Sequence, residues 1–206
     1  MACSSWRVSI GLLPNALAVA ATLSGCATSQ GVAPDVEIES LLLNEQDLPG
    51  DWVASPYGPT SDFGSAPLGG GLGPIRAVGL HYYHPIGAGS AGAYEDILLF
   101  RSESEAVEAI DYLVGTRFDD GPYAVWVDVR IDFPHASEAS IQCTEGRADT
   151  MCRGIARYGR YVVDLKVDLV AFAADRGYQR VMSLEDFDAV IKRADELMAP
   201  TLADPG

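Results

Sequence analysis

The chain has 206 residues, with 29 acidic and 14 basic side chains and a formal net charge of −15 at pH 7. So acidic a chain does not suit nucleic-acid binding, because phosphate contacts require clustered Lys and Arg. Anionic lipid headgroups would also repel it. Its length suits one folded domain with a sizeable core.

The first 25 residues have the pattern of a secretory signal peptide. Arg7 is the only charged residue among them, and residues 8–23 form an uncharged, mostly apolar run. A helix needs about 20 residues to cross the hydrocarbon core of a bilayer, and Pro14 and Asn15 weaken this run further. We therefore expect residues 1–25 to be an export signal that is cleaved, rather than a permanent span.

The signal ends in Leu23-Ser24-Gly25-Cys26, which resembles the lipobox of bacterial lipoproteins. The resemblance implies that the Cys26 sulfur receives a diacylglycerol, that the preceding peptide bond is cleaved, and that acyl chains attach the protein to a membrane. Two acyl chains hold a protein stably, at about 0.8 kcal/mol per buried methylene, whereas one does so only marginally. The protein would then be extracytoplasmic, at the cell surface or in the periplasm. Ordinary secretion and an uncleaved anchor are the alternatives.

Two of the four cysteines remain for the folded domain, since Cys3 leaves with the signal and Cys26 carries the lipid. An even pair in an oxidising compartment is expected to form a disulfide, which would join Cys143 to Cys152. The segment around them offers only two carboxylates as further metal ligands. We interpret the bridge as a structural cross-link.

The predicted elements follow a small polar tether over residues 26–34 and form a single domain over residues 35–206. A short helix is expected at residues 36–43, and the Pro-Gly pair at residues 49–50 then reverses the chain. Residues 55–74 are rich in Gly and Pro and predict a long loop, a kind of segment that is often functional.

Strands dominate the middle of the predicted domain. Residues 75–84 and 93–100 have strand character and are joined by a Gly-rich connector, and a helix begins after Ser102, which forms a capping box with Glu105. Clean alternation over residues 123–133 and 161–169 predicts further strands with one wet face. Two more strands flank the cysteines.

A last helix is capped by Ser183 and ends at Pro200. The predicted order is α-β-β-α-β-β-β-β-α. This order favours an α+β fold, with helices packed on one face of a mostly antiparallel sheet.

A second resemblance lies in LLLNEQDLPGDW, residues 41–52. The segment resembles the Leu-x(3–4)-Asp-Leu-Pro-x-Gly-Trp opening of many secreted bacterial lipoproteins. It is also similar to the extracellular sensor domains of mycobacterial serine/threonine kinases, which carry disulfides and are α+β. It departs from the pattern where Gly50 precedes Asp51 rather than Trp52. The resemblance implies a non-catalytic binding or sensing domain and transfers no functional residue.

The sequence offers little recognisable catalytic chemistry. GAGSAG, residues 87–92, matches G-x-G-x-x-G by letters, but a strand follows it where a dinucleotide site requires a helix. We find no nucleophile elbow, P-loop, H-E-x-x-H motif or EF-hand loop, so no catalytic residue and no cofactor is predicted. An enzyme with dispersed active-site residues remains an alternative.

A metal-binding lipoprotein is a further alternative, because His81, His84 and His135 could be zinc ligands. His81 and His84 are three residues apart on a predicted strand and should point to opposite faces.

A set of carboxylates also recurs on the polar strand faces, interleaved with Arg130 and Lys166. Alternating signs favour cross-strand ion pairs on a solvated face. The carboxylates are Asp128, Asp132, Asp164 and Asp168.

Aromatic residues cluster around the Gly/Pro-rich loop. Large rings with polar tips suit recognition of a protein or small-molecule partner. The alternative is that they cover the end of the sheet. The candidate recognition surface comprises Trp52, Tyr57, Phe63, Tyr82 and Tyr83.

Overall fold

The computed structural model describes residues 37–60, 73–118, 125–145 and 150–202. The chain divides into two units, Met1–Gly31 and Val32–Gly206, and all described residues belong to the second. The predictions for the signal peptide, Cys26 and the tether therefore lie outside the described residues. Within the described ranges, no helix is long and apolar enough to cross a membrane.

The described residues form an antiparallel sheet of eight strands in the order β1-β2-β3-β7-β6-β5-β4, with β8 paired to the end of β7. The α+β fold class is confirmed. The strands are β1 (Val53–Ala54), β2 (Arg76–Ile86), β3 (Gly89–Leu99), β4 (Val125–Asp128), β5 (Glu138–Glu145), β6 (Thr150–Tyr158), β7 (Tyr161–Ala173) and β8 (Gly177–Arg180).

In the described ranges, two α-helices and three short 3₁₀ helices accompany the sheet. Helix α1 spans Glu103–Arg117 and helix α2 spans Leu184–Met198. The 3₁₀ helices are Ile38–Leu41, Glu45–Asp47 and Ala199–Leu202.

Two tight hairpins fix the register of the central strands. Between β2 and β3 the turn is Gly87-Ala88, and between β6 and β7 it is Gly159-Arg160. The two glycines have φ of 57° and 55°, and two-residue hairpin turns favour residues that adopt positive φ. The connector predicted over residues 85–92 is therefore shorter than expected, and most of it is strand.

Helix α2 packs on one face of the sheet, which we call the α2 face. Ser183 caps the helix and forms a capping box with Asp186. The apolar stripe of the helix and the short N-terminal 3₁₀ helix lie in the larger core, together with alternate residues of β7. The core side chains of α2 are Phe187, Val190, Ile191, Ala194 and Met198.

Helix α1 packs on the opposite face, the α1 face, whereas both helices were expected on one. The side chains of Leu98, Ile155 and Val162 provide an apolar patch there, and α1 covers it with Ala106, Ala109, Ile110 and Leu113. The face that alternation marks as wet in β7 is therefore partly buried. Helices cover both faces of the sheet because both carry apolar side chains.

Other elements also differ from the sequence prediction. The predicted first helix is a 3₁₀ turn, and the short strands β1 and β8 were not predicted. Strand β4 ends at Asp128, although alternation continues to residue 133. Beyond it, Val129, Ile131 and Phe133 still pack against the larger core. The period-2 pattern there reports burial rather than strand pairing.

Candidate functional site

The expected disulfide is present and joins two adjacent strands. Cys143 on β5 and Cys152 on β6 are directly opposite each other, with a Cα–Cα distance of 4.1 Å. Both side chains are buried in the larger core. The bridge therefore cross-links the sheet from inside.

The structure divides the candidate recognition surface. Trp52 and Tyr82 are buried, with 3% and 0% of their surface exposed. The ring of Trp52 lies 5.4 Å from that of His84, and the Tyr82 hydroxyl donates a 2.6 Å hydrogen bond to the carbonyl of Leu43. These two rings belong to the core, because the N-terminal segment covers this end of the sheet.

Two members of the same surface remain at the exterior. Tyr57 is 88% exposed and Tyr83 is 39% exposed. Phe63 lies outside the described residues. Among the described members of the candidate surface, only Tyr57 and Tyr83 are therefore exposed.

The three histidines occupy separate environments. His81 lies edge-to-face against Tyr94 at 4.5 Å, and burial lowers its pKa. His84 is beside Trp52, and the backbone N–H of His135 donates to the buried carboxylate of Asp195. Within the described ranges, no group of three or more His, Cys, Asp or Glu residues is placed to hold a metal ion. The structure thus does not assemble the three-histidine site.

A charged recess lies on the α1 face, beside the C-terminal end of α1. Two rows of side chains run across β3, β7 and β6. Tyr94 is level with Lys166, which is level with Arg153, and Asp96 is level with Asp164. The recess has a volume of about 180 Å³. It is lined by Tyr94, Asp96, Arg117, Arg153, Asp164 and Lys166.

A buried ion pair forms one wall of the recess. Nε of Arg153 donates to Oδ1 of Asp164 at 2.6 Å, and Nη2 donates to Oδ2. The two residues are 9% and 4% exposed. Bidentate pairing of this kind satisfies both charged groups and fixes their orientation. Neither group is then free to bind a ligand without breaking the pair.

Asp96 lies next to this pair, and its carboxyl group has a buried oxygen atom and a raised pKa. Its Oδ1 atom is buried and accepts no hydrogen bond from the described residues. Burial raises the pKa of Asp96 to about 7, and the neighbouring charge of Asp164 raises it as well, whereas Arg117 and Arg153 lower it. Perturbed carboxyl groups in a cleft are typical of functional sites.

Two cations complete the recess. Nζ of Lys166 lies 5.8 Å from the centroid of the Tyr94 ring, a weak cation–π contact. Arg117 is the last residue of α1 and is exposed. Neither side chain makes a hydrogen bond or an ion pair to any other residue in the described part of the chain. Among the described residues, the two charges therefore face the recess without an ion-paired partner.

Sequence reasoning missed most of this recess. Asp164 and Lys166 were expected to form ion pairs on a solvated face, but Asp164 is buried and pairs with Arg153. Strand β4 is also separated from β7 by β5 and β6, so the carboxylates of the two predicted strands do not meet. Asp128 instead accepts a hydrogen bond from Gln142, and Asp168 accepts one from the backbone of Gly92.

A usable signal for the recess does exist in the sequence. Alternation in AYEDILLF places Tyr94 and Asp96 on one face, and alternation in CRGIARY places Arg153 opposite to Cys152. This alternation indicates a shared site only once the strand order is known, because β3 and β6 both pair with β7.

Comparison with known proteins identifies the fold. No family model matches this chain, and no curated protein is significantly similar to it. The crystal structure of the extracellular domain of PknH from Mycobacterium tuberculosis aligns with a TM-score of 0.50 and 14% sequence identity, over 77% of this chain and 93% of that one. The two proteins share a fold. This agrees with the resemblance of residues 41–52 to the sensor domains of mycobacterial kinases.

Proposed function

We propose that the protein is a lipid-anchored extracytoplasmic domain that binds or senses a ligand or partner and catalyses no reaction. The observation that carries the proposal is the fold shared with the extracellular domain of PknH. A domain of this fold would here be attached through the lipid on Cys26 rather than through a membrane-spanning helix.

The N-terminal sequence supports the anchor. A short uncharged apolar run ends in the lipobox-like LSGC motif, and a small polar tether follows. The net charge of −15 disfavours direct attraction to anionic headgroups. Acyl chains would therefore supply the attachment, and two chains suffice for a stable one.

The described side chains support binding rather than catalysis. The most deeply buried carboxylates serve the fold: Glu95 accepts the backbone N–H of Leu43, and Asp195 accepts the hydroxyl of Tyr158 at 2.9 Å. The histidines lie apart, and the charged recess is lined by groups suited to binding polar ligands. A domain that presents a small polar recess on a rigid sheet is suited to ligand sensing.

Mass spectrometry of the mature N-terminus tests the anchor. We expect the full-length protein, expressed in a bacterial host, to begin at an acylated Cys26 and to sediment with membranes. Cys26→Ala should abolish acylation and either release the protein or block its processing. Cys3→Ala is the matched control, because Cys3 lies in the cleaved segment and its loss should leave both results unchanged. An unmodified N-terminus at another residue would contradict the anchor.

The location of the domain needs a separate measurement. A membrane-impermeant amine-reactive label applied to intact cells, with the outer membrane permeabilised where there is one, should modify the lysines of the folded domain. Protection of the domain until the cytoplasmic membrane is ruptured would contradict an extracytoplasmic location.

A further inference from the structure

We propose that the charged recess binds a free α-amino acid, with the ligand carboxylate between Arg117 and Lys166 and the ligand ammonium group against Asp96. The inference rests on the proposed binding function and names the ligand class for it. It follows from the charges, the size and the rigidity of the recess.

The charge inventory defines the complementary ligand. Arg153 and Asp164 neutralise each other, so their pair adds little net attraction. Of the charged groups that line the recess, two cations, Arg117 and Lys166, and one carboxylate, Asp96, have no hydrogen-bonded partner in the described part of the chain. A ligand that matches them carries one anionic group and one cationic hydrogen-bond donor. Charge-assisted hydrogen bonds of this kind are the stronger ones in proteins.

Ligands with a single charge fit the recess less well. An anion alone would pair with the two cations but would bring a second negative charge close to the carboxylate of Asp96, which also lines the recess. A simple cation would meet Asp96 but would face two positive side chains. The zwitterion is the chemistry that satisfies all three groups.

The volume of the recess suits a small ligand group. About 180 Å³ corresponds to roughly six water molecules at their liquid volume of about 30 Å³ each. Sites for drug-sized ligands are larger, at about 300–1,000 Å³. A free amino acid with a small side chain fits the available space. The Tyr94 ring offers an apolar wall for a short side chain.

The framework of the site is rigid. Asp96, Asp164 and Arg153 lie on three adjacent hydrogen-bonded strands, and the bidentate ion pair fixes the wall beside Asp96. Sites held on strands are positioned more accurately than sites on loops. The exposed side chain of Arg117 at the end of α1 marks the side from which a ligand enters.

The number of protons released on ligand binding is a measurement that reports on Asp96. The charged groups that face it are Asp164 from β7, Arg153 from β6 and Arg117 from α1, whereas β2 contributes Gly79 opposite to it. Because burial raises its pKa to about 7, part of the population is protonated near neutral pH. A bound ammonium group stabilises the ionised form, so binding at neutral pH should release protons.

Binding is tested on the full-length chain purified in detergent. The common free L-amino acids are screened at millimolar concentration by thermal shift, and the hits are titrated by calorimetry in two buffers of different ionisation enthalpy. We expect at least one small amino acid to bind with proton release at pH 7. Acetate and methylamine, which each supply half of the ligand, should bind at least about tenfold more weakly, a difference of about 1.4 kcal/mol.

Variants assign the binding to the recess. Asp96→Asn keeps the size of the side chain but should weaken binding at least about tenfold and abolish proton release, and Lys166→Gln should weaken binding. Lys192→Gln is the control, because Lys192 lies on α2 and pairs with Asp188. Urea unfolding of each variant shows that it is folded before it is titrated.

Three outcomes would overturn the inference. They are no binding by any amino acid, acetate binding as tightly as the best amino acid, and unchanged binding by Asp96→Asn. Each is distinguishable from failure of the proposed function. A correctly acylated, extracytoplasmic protein that binds no amino acid removes only the ligand class, whereas an amino-acid-binding protein that lacks lipid or faces the cytoplasm removes the proposed anchor or location.

Discussion

The carboxylate of Glu95, in the middle of β3, accepts a 2.8 Å hydrogen bond from the backbone N–H of Leu43, although 52 residues separate them. Glu95 is 1% exposed. The hydroxyl of Tyr82, on the adjacent strand, donates to the carbonyl of Leu43 and lies 3.5 Å from the same carboxylate oxygen. These contacts join the N-terminal segment to the α2 face.

The first prediction is that Glu95 makes the fold less stable as pH rises. Burial raises the pKa of Glu95 from its ordinary value of 4.5 to about 8, although the hydrogen bonds from Leu43 and Tyr82 oppose this. The folded state therefore binds more protons than the unfolded state between these two values. The contribution is fully present below about pH 4.5 and is lost as pH rises through about 8. We expect a loss on the order of 1–4 kcal/mol.

Urea unfolding at about pH 5 and about pH 8 measures this dependence. Glu95→Gln keeps an oxygen for the N–H of Leu43 and has no charge, so its stability should change less between the two pH values. Glu108→Gln, at an exposed position of α1, should behave as the wild type. Asp96 adds a dependence of the same sign, since its pKa is also raised. An equal pH dependence in Glu95→Gln and wild type would contradict the prediction.

The second prediction concerns the hydroxyl of Tyr82. Tyr82→Phe removes the 2.6 Å hydrogen bond to the carbonyl of Leu43 without changing the packing of the ring. A buried carbonyl that loses its partner costs about 1–3 kcal/mol. Tyr83→Phe is the control, because Tyr83 is the next residue on the same strand and is 39% exposed. If the two variants have equal free energies of unfolding in urea, the hydrogen bond does not hold the N-terminal segment.

Local sequence patterns predicted the helices and strands whose caps and apolar spacing lie within the element itself. Helix α2 could be predicted because Ser183 caps it and its apolar residues recur at helical spacing. Strand β7 could be predicted because residues 161–169 alternate between apolar and polar side chains. Each of these signals is contained in about fifteen consecutive residues, so no knowledge of distant partners was needed.

The candidate site could not be predicted in the same way, since it depends on which strands are neighbours. Strand β3 pairs with β7, and β4 to β6 lie on the other side of β7. Only this order brings Asp96 beside Asp164 and places Arg153 next to them. The burial of Asp164 likewise depends on its partner from β6. From the sequence alone, Asp164 is predicted to be an ordinary residue of a solvated strand face.

The prediction that α1 packs on the same face of the sheet as α2 was wrong for a related reason. Within residues 161–169, the part of β7 that alternation predicts, Val162 is the single apolar residue on the face that carries Asp164, Lys166 and Asp168. One apolar residue does not identify a helix-packing surface. The surface exists because Leu98 and Ile155 come from two other strands to lie beside Val162.

The third prediction concerns the Cys143–Cys152 disulfide. It closes a loop with a sequence separation of 9, and the chain-entropy relation gives about 3 kcal/mol for a loop of this size. The double variant Cys143→Ala/Cys152→Ala should remain folded, because β5 and β6 still pair from Glu138↔Arg157 to Gln142↔Arg153, but should unfold at lower urea concentration. Dithiothreitol should destabilise the wild type and leave the double variant unchanged. Equal sensitivity of both proteins would show that the bridge does not stabilise the domain.

The last prediction compares two glycines of nearly equal backbone conformation. Gly87 and Gly159 each begin a two-residue hairpin turn, with φ of 57° and 55°. A Cβ at Gly159 would meet no atom within 4 Å, whereas a Cβ at Gly87 would overlap the carboxylate of Asp175. That carboxylate accepts a 2.8 Å hydrogen bond from the N–H of Ala88 and so joins the tip of the β2–β3 hairpin to the turn between β7 and β8.

Gly159→Ala should therefore cost about 1 kcal/mol, the strain of a left-handed alanine. Gly87→Ala should cost more, because the Asp175 carboxylate must move and its hydrogen bond to Ala88 is lost. Asp175→Ala tests the cause: in the double variant Gly87→Ala/Asp175→Ala the overlap is absent, so the two costs should not add. Urea unfolding of the wild type and of the four variants gives the free energies of unfolding to be compared. Equal losses for Gly87→Ala and Gly159→Ala, or simple additivity in the double variant, would show that the hairpin tip is not held by Asp175.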